Sequence, residues 1–152
     1  MNIWDSYRKD KCNLKSEGFS LHFERGIDSK LRDYYISFSK WLRKEYVFPT
    51  HINIYLKNCE TIKLNSGIRA YGSFKYFEKN PPRIIIPSKV EKKLLNEFSV
   101  DELYEQILSS FVHELTHYYQ YVSGLEQTNA VSERQANHFR YSIIEKYYDE
   151  MK

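Results

Sequence analysis

Phe111-Val112-His113-Glu114-Leu115-Thr116-His117-Tyr118 decides how this 152-residue chain is read. On a helix, residues four apart share a face, so His113 and His117 can direct two imidazoles at one ion. Glu114 lies about 100° further round, where a carboxylate can reach a metal-bound water without itself binding the metal. The stretch also continues an apolar row, Tyr104, Leu108, Phe111, Leu115, Tyr118 and Val122, at the alternating spacing of a helix packed on a core. A second row, Gln106, Ser110, His113, His117, Gln120 and Gly124, runs beside it and is polar. The histidines therefore stand off the stripe that would bury them as packing residues.

Working outward, Ser99-Val100-Asp101-Glu102 fits a capping box that opens the motif helix, and Gly124 is placed to stop it. A last helix is predicted from Asn129, as N-cap, to about Tyr148, with Ala136, Phe139, Ile143 and Tyr147 on its buried side. Upstream, Ser88-Lys89-Val90-Glu91 fits a capping box for a short helix. Arg83-Ile84-Ile85-Ile86 reads as a strand, and an extended stretch from Ile68 to Phe77, with Gly72 in its middle, is predicted to form a loose hairpin with it. His51-Ile52-Asn53-Ile54-Tyr55-Leu56 alternates as a strand. From Asp28, as N-cap, Leu31, Tyr34, Tyr35, Phe38, Trp41 and Leu42 predict an amphipathic helix ending before Pro49.

Residues 1 to 27 give little beyond the alternation Phe19-Ser20-Leu21-His22-Phe23. The expected fold is thus α+β in one domain over residues 1 to 152, with its core in 28 to 148. A backing helix and a short mixed sheet precede the motif helix and a C-terminal glutamate-bearing helix.

Composition narrows the partners. The net charge is only +3 with 28% charged residues, which makes no electrostatic case for nucleic acid. No leader-like apolar run follows Met1, and no apolar stretch reaches membrane-spanning length, so a soluble cytoplasmic protein is expected. Cys12 and Cys59 lack a second cysteine or histidine at metal-ligand spacing and read as reduced thiols. Fourteen tyrosines suit a cleft lined by groups both apolar and hydrogen-bonding.

A catalytic zinc needs a third protein ligand and an open fourth position. Gln120 and Ser123 stand where a metzincin would carry glycine and histidine, which excludes that class. Glu133 is the candidate on the following helix. His117 lies about 10 Å of helix before the stop, and Glu133 about 6 Å into the next helix, so an antiparallel return brings the carboxylate to the level of the histidines. Glu126, in the loop, falls short. His138 is the competing ligand, about 140° round the helix from Glu133. Ala136 would let the two helices approach, and Asn137, on the same face, could accept the ring N–H of a metal-bound histidine.

His113-Glu114-Leu115-Thr116-His117 followed by Glu133-Arg134-Gln135-Ala136-Asn137 resembles the gluzincin zinc metallopeptidases, and is most similar to the compact ImmA/IrrE type. Aspartate often ends the second motif in that family, where this chain has Asn137. SprT-like proteases share the first motif but take a histidine as third ligand, for which only His138 is on offer. Ala70 to Phe74 and Pro82 to Ile86 are similar in order and character to the edge strand and the following strand of small zincins.

The resemblance implies one Zn2+ held by His113, His117 and Glu133, with Glu114 as general base in hydrolysis of a protein or peptide substrate, in some members a regulatory protein. The strand around Gly72 would pair with an extended substrate backbone. Tyr121, His138, Tyr141 and Arg134 are the candidates for the donor that stabilises the oxyanion. The alternative is a non-catalytic zinc-binding interaction module, which has no need of Glu114.

Overall fold

Strand β2, Ile52–Lys57, sets the middle of the molecule, because Ile52, Ile54 and Leu56 all point to one face and are buried there. The computed structural model describes residues 2–151. Strand β1, Phe19–Phe23, and strand β6, Arg83–Pro87, flank β2, both parallel to it. The register sets Ile54 against Ile84 and Leu56 against Ile86, which makes a continuous aliphatic surface. Strand β5, Ser73–Lys75, closes the sheet as an antiparallel edge, in the order β1-β2-β6-β5. The fold is α+β, with a mixed sheet.

Helix α2, Ser29–Glu45, connects β1 to β2, and its Leu31, Tyr35, Phe38 and Leu42 enter the same core as the sheet. Two long helices follow, α3, Val100–Val122, and α4, Asn129–Glu150. The capping box at Ser99 and Glu102 has both of its hydrogen bonds, at 3.1 Å each. Gly124 takes φ +65 and ends α3 by donating its N–H to the Tyr121 carbonyl, a conformation that suits glycine. Tyr104, Leu108, Phe111, Leu115 and Tyr118 are all buried, as the apolar row requires.

Three local expectations change, and a fourth is met without its side-chain bond. Ser88 caps no helix: it is buried, bonded to the Tyr35 hydroxyl at 3.1 Å and donating to the Ile86 carbonyl, and the turn at Lys92–Asn96 is a short 3-10 helix opening after Glu91. Thr128 takes the place of Asn129 as N-cap of α4, accepting from the Val131 N–H. Asp28 is the N-cap residue of α2 as expected, but without a side-chain capping bond, since its carboxylate accepts from the Tyr104 hydroxyl at 2.5 Å. The stretch Ile68 to Phe77 divides at Gly72, so that Arg69–Ala70 (β4) pairs with Ile62–Lys63 (β3), while only β5 pairs with β6.

The core also reaches past residues 28 to 148. A short helix, α1, Ile3–Ser6, buries Trp4 completely behind α3, where the indole N–H donates to Thr116 Oγ1 at 3.0 Å. Tyr7 stacks on Tyr119 at 4.6 Å between ring centres. Tyr118 and Tyr119 are core residues whose hydroxyls donate to the carbonyls of Thr50 and Val47. Four turn-length residues carry too little periodicity to announce such a plug from sequence. Among the described residues, no helix is long and apolar enough to cross a membrane.

Candidate metal centre

The motif row on α3 faces α4 across an antiparallel interface in which Ala136 is fully buried. With only a methyl group at that point, the helices come close enough for Glu133 to meet both histidines. Its Oε2 lies 3.1 Å from His113 Nε2 and its Oε1 lies 2.9 Å from His117 Nε2. Nitrogen and oxygen atoms of all three residues fall within 4.8 Å of one another, the spread of a single cation site. The two imidazoles are mostly covered, whereas Glu133 is more than half exposed, so the group opens toward solvent on the α4 side.

Gln120 fixes the chemistry of His117. Its amide nitrogen donates to the Ser132 carbonyl at 3.1 Å and to Gln135 Oε1 at 2.8 Å, both of which can only accept. The amide oxygen is thereby left to face His117 Nδ1, at 2.8 Å. The Nδ1 position must then carry the proton, and a neutral ring presents a lone pair at Nε2. In the neutral ring that lone pair faces a carboxylate oxygen at 2.9 Å, two acceptors in repulsion, whereas an imidazolium would donate there from Nε2. A cation between them removes the repulsion, and ligand atoms around a tetrahedral zinc stand about 3.3 Å apart, a small opening from the observed spacing.

His113 is as covered as His117, each side chain 15% exposed. Burial pushes its imidazole below the ordinary value, while the Glu133 carboxylate beside it pulls the other way. Its Nδ1 is buried without a hydrogen-bond partner among the described residues. A neutral ring is what a metal ligand requires.

Glu114 occupies the inner wall. It is 6% exposed, and burial, reinforced by the Glu133 charge and opposed by Arg140, pushes its carboxyl up to about 8. Gly72, at the divide between β4 and β5, lies directly over it, and a Cβ built there would stand 3.0 Å from Glu114 Cγ. A bound dication would favour the carboxylate form again, because its charge outweighs the local desolvation.

A cleft of about 730 Å³ runs along Gly72, Ser73 and Phe74 on one side and His117, Gln120 and Glu133 on the other. Tyr121 lies in this cleft and stacks on Tyr76 at 4.7 Å. Tyr141 lies in a second cavity, with its hydroxyl on Gln106 Oε1 at 3.2 Å. His138 and Arg134 are exposed on α4 and line neither space. Asn137 is likewise exposed and bonds to neither histidine, so the orienting contact expected of it falls to Gln120 instead. Gln120 was visible in the polar row three residues after His117, the spacing of a same-face neighbour. Arg140, seven residues and two turns after Glu133, carried the same kind of signal. Its guanidinium is held by the hydroxyls of Ser109 and Ser110.

Comparison with family models, with curated proteins and with solved structures finds no match to this chain.

Proposed function

We propose that the protein is a zinc-dependent endopeptidase of the gluzincin kind, similar in its motifs to the compact ImmA/IrrE type, acting on a protein or peptide substrate. The observation that carries this reading is the convergence of His113, His117 and Glu133 within 4.8 Å, with Gln120 facing His117 Nδ1 and leaving Nε2 turned to Glu133 Oε1 at 2.9 Å. His113, His117 and Glu133 would hold the ion. Zinc, when bound, lowers the pKa of a water in its open position and polarises a carbonyl.

The chain's own groups supply the rest. Glu114 borders the same cleft as the triad and takes the proton of the attacking water on a carboxylate oxygen, then returns it to the leaving amine. β5 is an edge strand beside the cleft, so an extended substrate can add to the sheet there through main-chain hydrogen bonds. Gly72 keeps the strand close over Glu114, which excludes bulk water from the base. Tyr121, in the cleft, is the candidate best placed to donate to the developing oxyanion.

Near-complete burial of Glu114 favours a second reading, a zinc-holding interaction module in which the base is never exposed to substrate. One pair of variants separates the two. Purified protein is expected to carry about one zinc per chain, and Glu133→Ala to lose it while keeping its helical circular dichroism. Glu114→Gln is expected to retain zinc and lose peptide cleavage. A wild type that holds zinc, with no new protein termini relative to Glu114→Gln in cells expressing either, would establish the module instead.

A further inference from the structure

The divide at Tyr71 and Gly72 separates two spaces. Gly72 faces the cleft that contains Glu114, His117 and Glu133, and Tyr71 faces a second cavity of about 390 Å³. The wall of that second cavity is apolar, built from Val90, Leu94, Phe98, Leu103 and Ile107. Its inner end is Ser110 and Arg140. Ser110 precedes His113 by three residues, one helical turn, so this end of the cavity adjoins the metal centre.

Arg140 is positioned without being neutralised. Its Nε and Nη2 donate to Ser109 Oγ at 3.3 and 3.1 Å, and Nη2 also donates to Ser110 Oγ at 3.1 Å. Both serine hydroxyls spend their own hydrogens on the Gln106 carbonyl, at 2.7 and 3.3 Å, so lone pairs face the guanidinium. Among the described residues, no carboxylate lies within ion-pair distance of Arg140; Glu17, Glu24, Glu91, Asp101 and Glu133 are paired with lysines or with the histidines instead. Glu91, on the cavity lining, is tied to the Tyr71 hydroxyl at 2.8 Å and to Lys93 at 3.7 Å. Glu60 and Lys89, also on the lining, are of opposite sign and cancel. An oriented guanidinium with donors left over, at the end of an apolar cavity beside the reacting centre, is a receptor for a carboxylate.

We propose that this cavity is the subsite for a substrate residue bearing a carboxylate, with Arg140 as the receptor and the apolar wall taking the aliphatic part. The inference rests on the peptidase reading and gives it a substrate class: a peptide whose residue next to the scissile bond presents an acidic side chain, as endopeptidase cleavage allows, or its free C-terminal carboxylate, which would narrow the activity to removal of a terminal residue. Arg140 acts through binding and orientation, holding the peptide so that its scissile bond lies over the triad.

Zinc-loaded Glu114→Gln protein, which keeps every ligand, is the test material. Four fluorescent N-acylated dipeptides are titrated by anisotropy: Gly-Leu as the acid and as the amide, and the amides of Gly-Glu and Gly-Gln. The carboxylate member of at least one pair is expected to bind about tenfold more tightly, in line with a charge-assisted hydrogen bond. Preference within the leucine pair identifies a free C-terminus, and preference within the Glu and Gln pair identifies a side chain. Adding Arg140→Gln is expected to abolish the preference with zinc content unchanged. Equal binding within both pairs overturns the subsite, as does a preference that survives Arg140→Gln, which would place the carboxylate on the zinc. Should Arg140→Gln fail to fold, Arg140→Lys removes the planar fork and is expected to weaken the preference about threefold; an unchanged preference there overturns the proposal too. Turnover by wild type is followed in parallel. Preference without turnover would remove the peptidase reading and leave the subsite, whereas turnover without preference would do the reverse.

Discussion

Gly72 and Glu114 are in contact across the sheet edge so closely that a single added methyl group at position 72 would stand 3.0 Å from Glu114 Cγ and 3.2 Å from its Oε2. The glycine's φ is not in the left-handed region, so alanine would be strained by space and not by backbone. Gly72→Ala is therefore expected to fold and bind zinc while displacing the Glu114 carboxylate. A shift of that kind in a reacting group costs on the order of tenfold to a hundredfold in kcat. Zinc stoichiometry and peptide turnover, measured on one preparation, check both halves.

Gln120 accepts at His117 Nδ1 and so fixes the orientation of that ring. Gln120→Leu removes the acceptor at Nδ1 and is expected to weaken zinc binding by about tenfold to a hundredfold, the usual cost of losing a partner behind a ligand. Competition against a chelating dye gives the affinity. Asn137→Ala, a change at an exposed residue with no bond to either histidine, is expected to leave it unchanged.

Thr116 sits between the motif histidines in sequence and is buried against Trp4, away from the face that carries His113 and His117. Its Oγ1 accepts from Trp4 Nε1 at 3.0 Å and donates to the Val112 carbonyl at 2.9 Å, fully buried. Thr116→Val leaves the indole N–H unpaired and is expected to cost about 1–3 kcal/mol. Trp4→Ala empties the site and is expected to cost about 3–5 kcal/mol. Urea unfolding monitored by circular dichroism measures both, and zinc affinity of the folded protein is expected to be unchanged in Thr116→Val.

High pH attacks the same core. The hydrogen bond to Asp101, with burial second, raises Tyr34 to about 12, while burial, with the bond to Asp28 second, raises Tyr104 to about 12. Burial drives Tyr35, Tyr46, Tyr118 and Tyr119 further up. Each folded value exceeds the ordinary 10.0, so the neutral phenols contribute stability that is complete below that pH and is lost as pH rises through the folded values. Tyrosinate absorbance at about pH 11 is expected to account for fewer than all the tyrosines. The remainder should appear together with loss of the helical signal.

How much of this could be read from the residues alone differs by element. The motif helix declared itself twice, through the capping box at Ser99 and through the apolar row from Tyr104 to Val122, because both signals are local. The meeting of Glu133 with the histidines followed from rise per residue and an antiparallel return, and the ion-pair distances of 3.1 and 2.9 Å agree with that geometry. Ser88 misled because its hydroxyl had a better partner in Tyr35, distant in sequence. Gly72 read as a gap in a strand, since its contact with Glu114 depends on how β5 lies against α3. Gln120 and Arg140 were legible as positions on the right face, but only the neighbours that bond them disclose what they do.

The plug formed by α1 has a consequence for the order in which the chain can mature. Trp4 and Thr116 are separated by 112 positions, so during translation the indole waits for most of the polypeptide before its partner exists. Long loop closure comes late and slowly compared with helix formation. The seat for Trp4 is the back of the helix whose front carries His113 and His117, so the two faces of that helix are tied to distant parts of the chain. A chain lacking Thr116 has no hydrogen-bond partner for the Trp4 indole and leaves that aromatic ring without its seat.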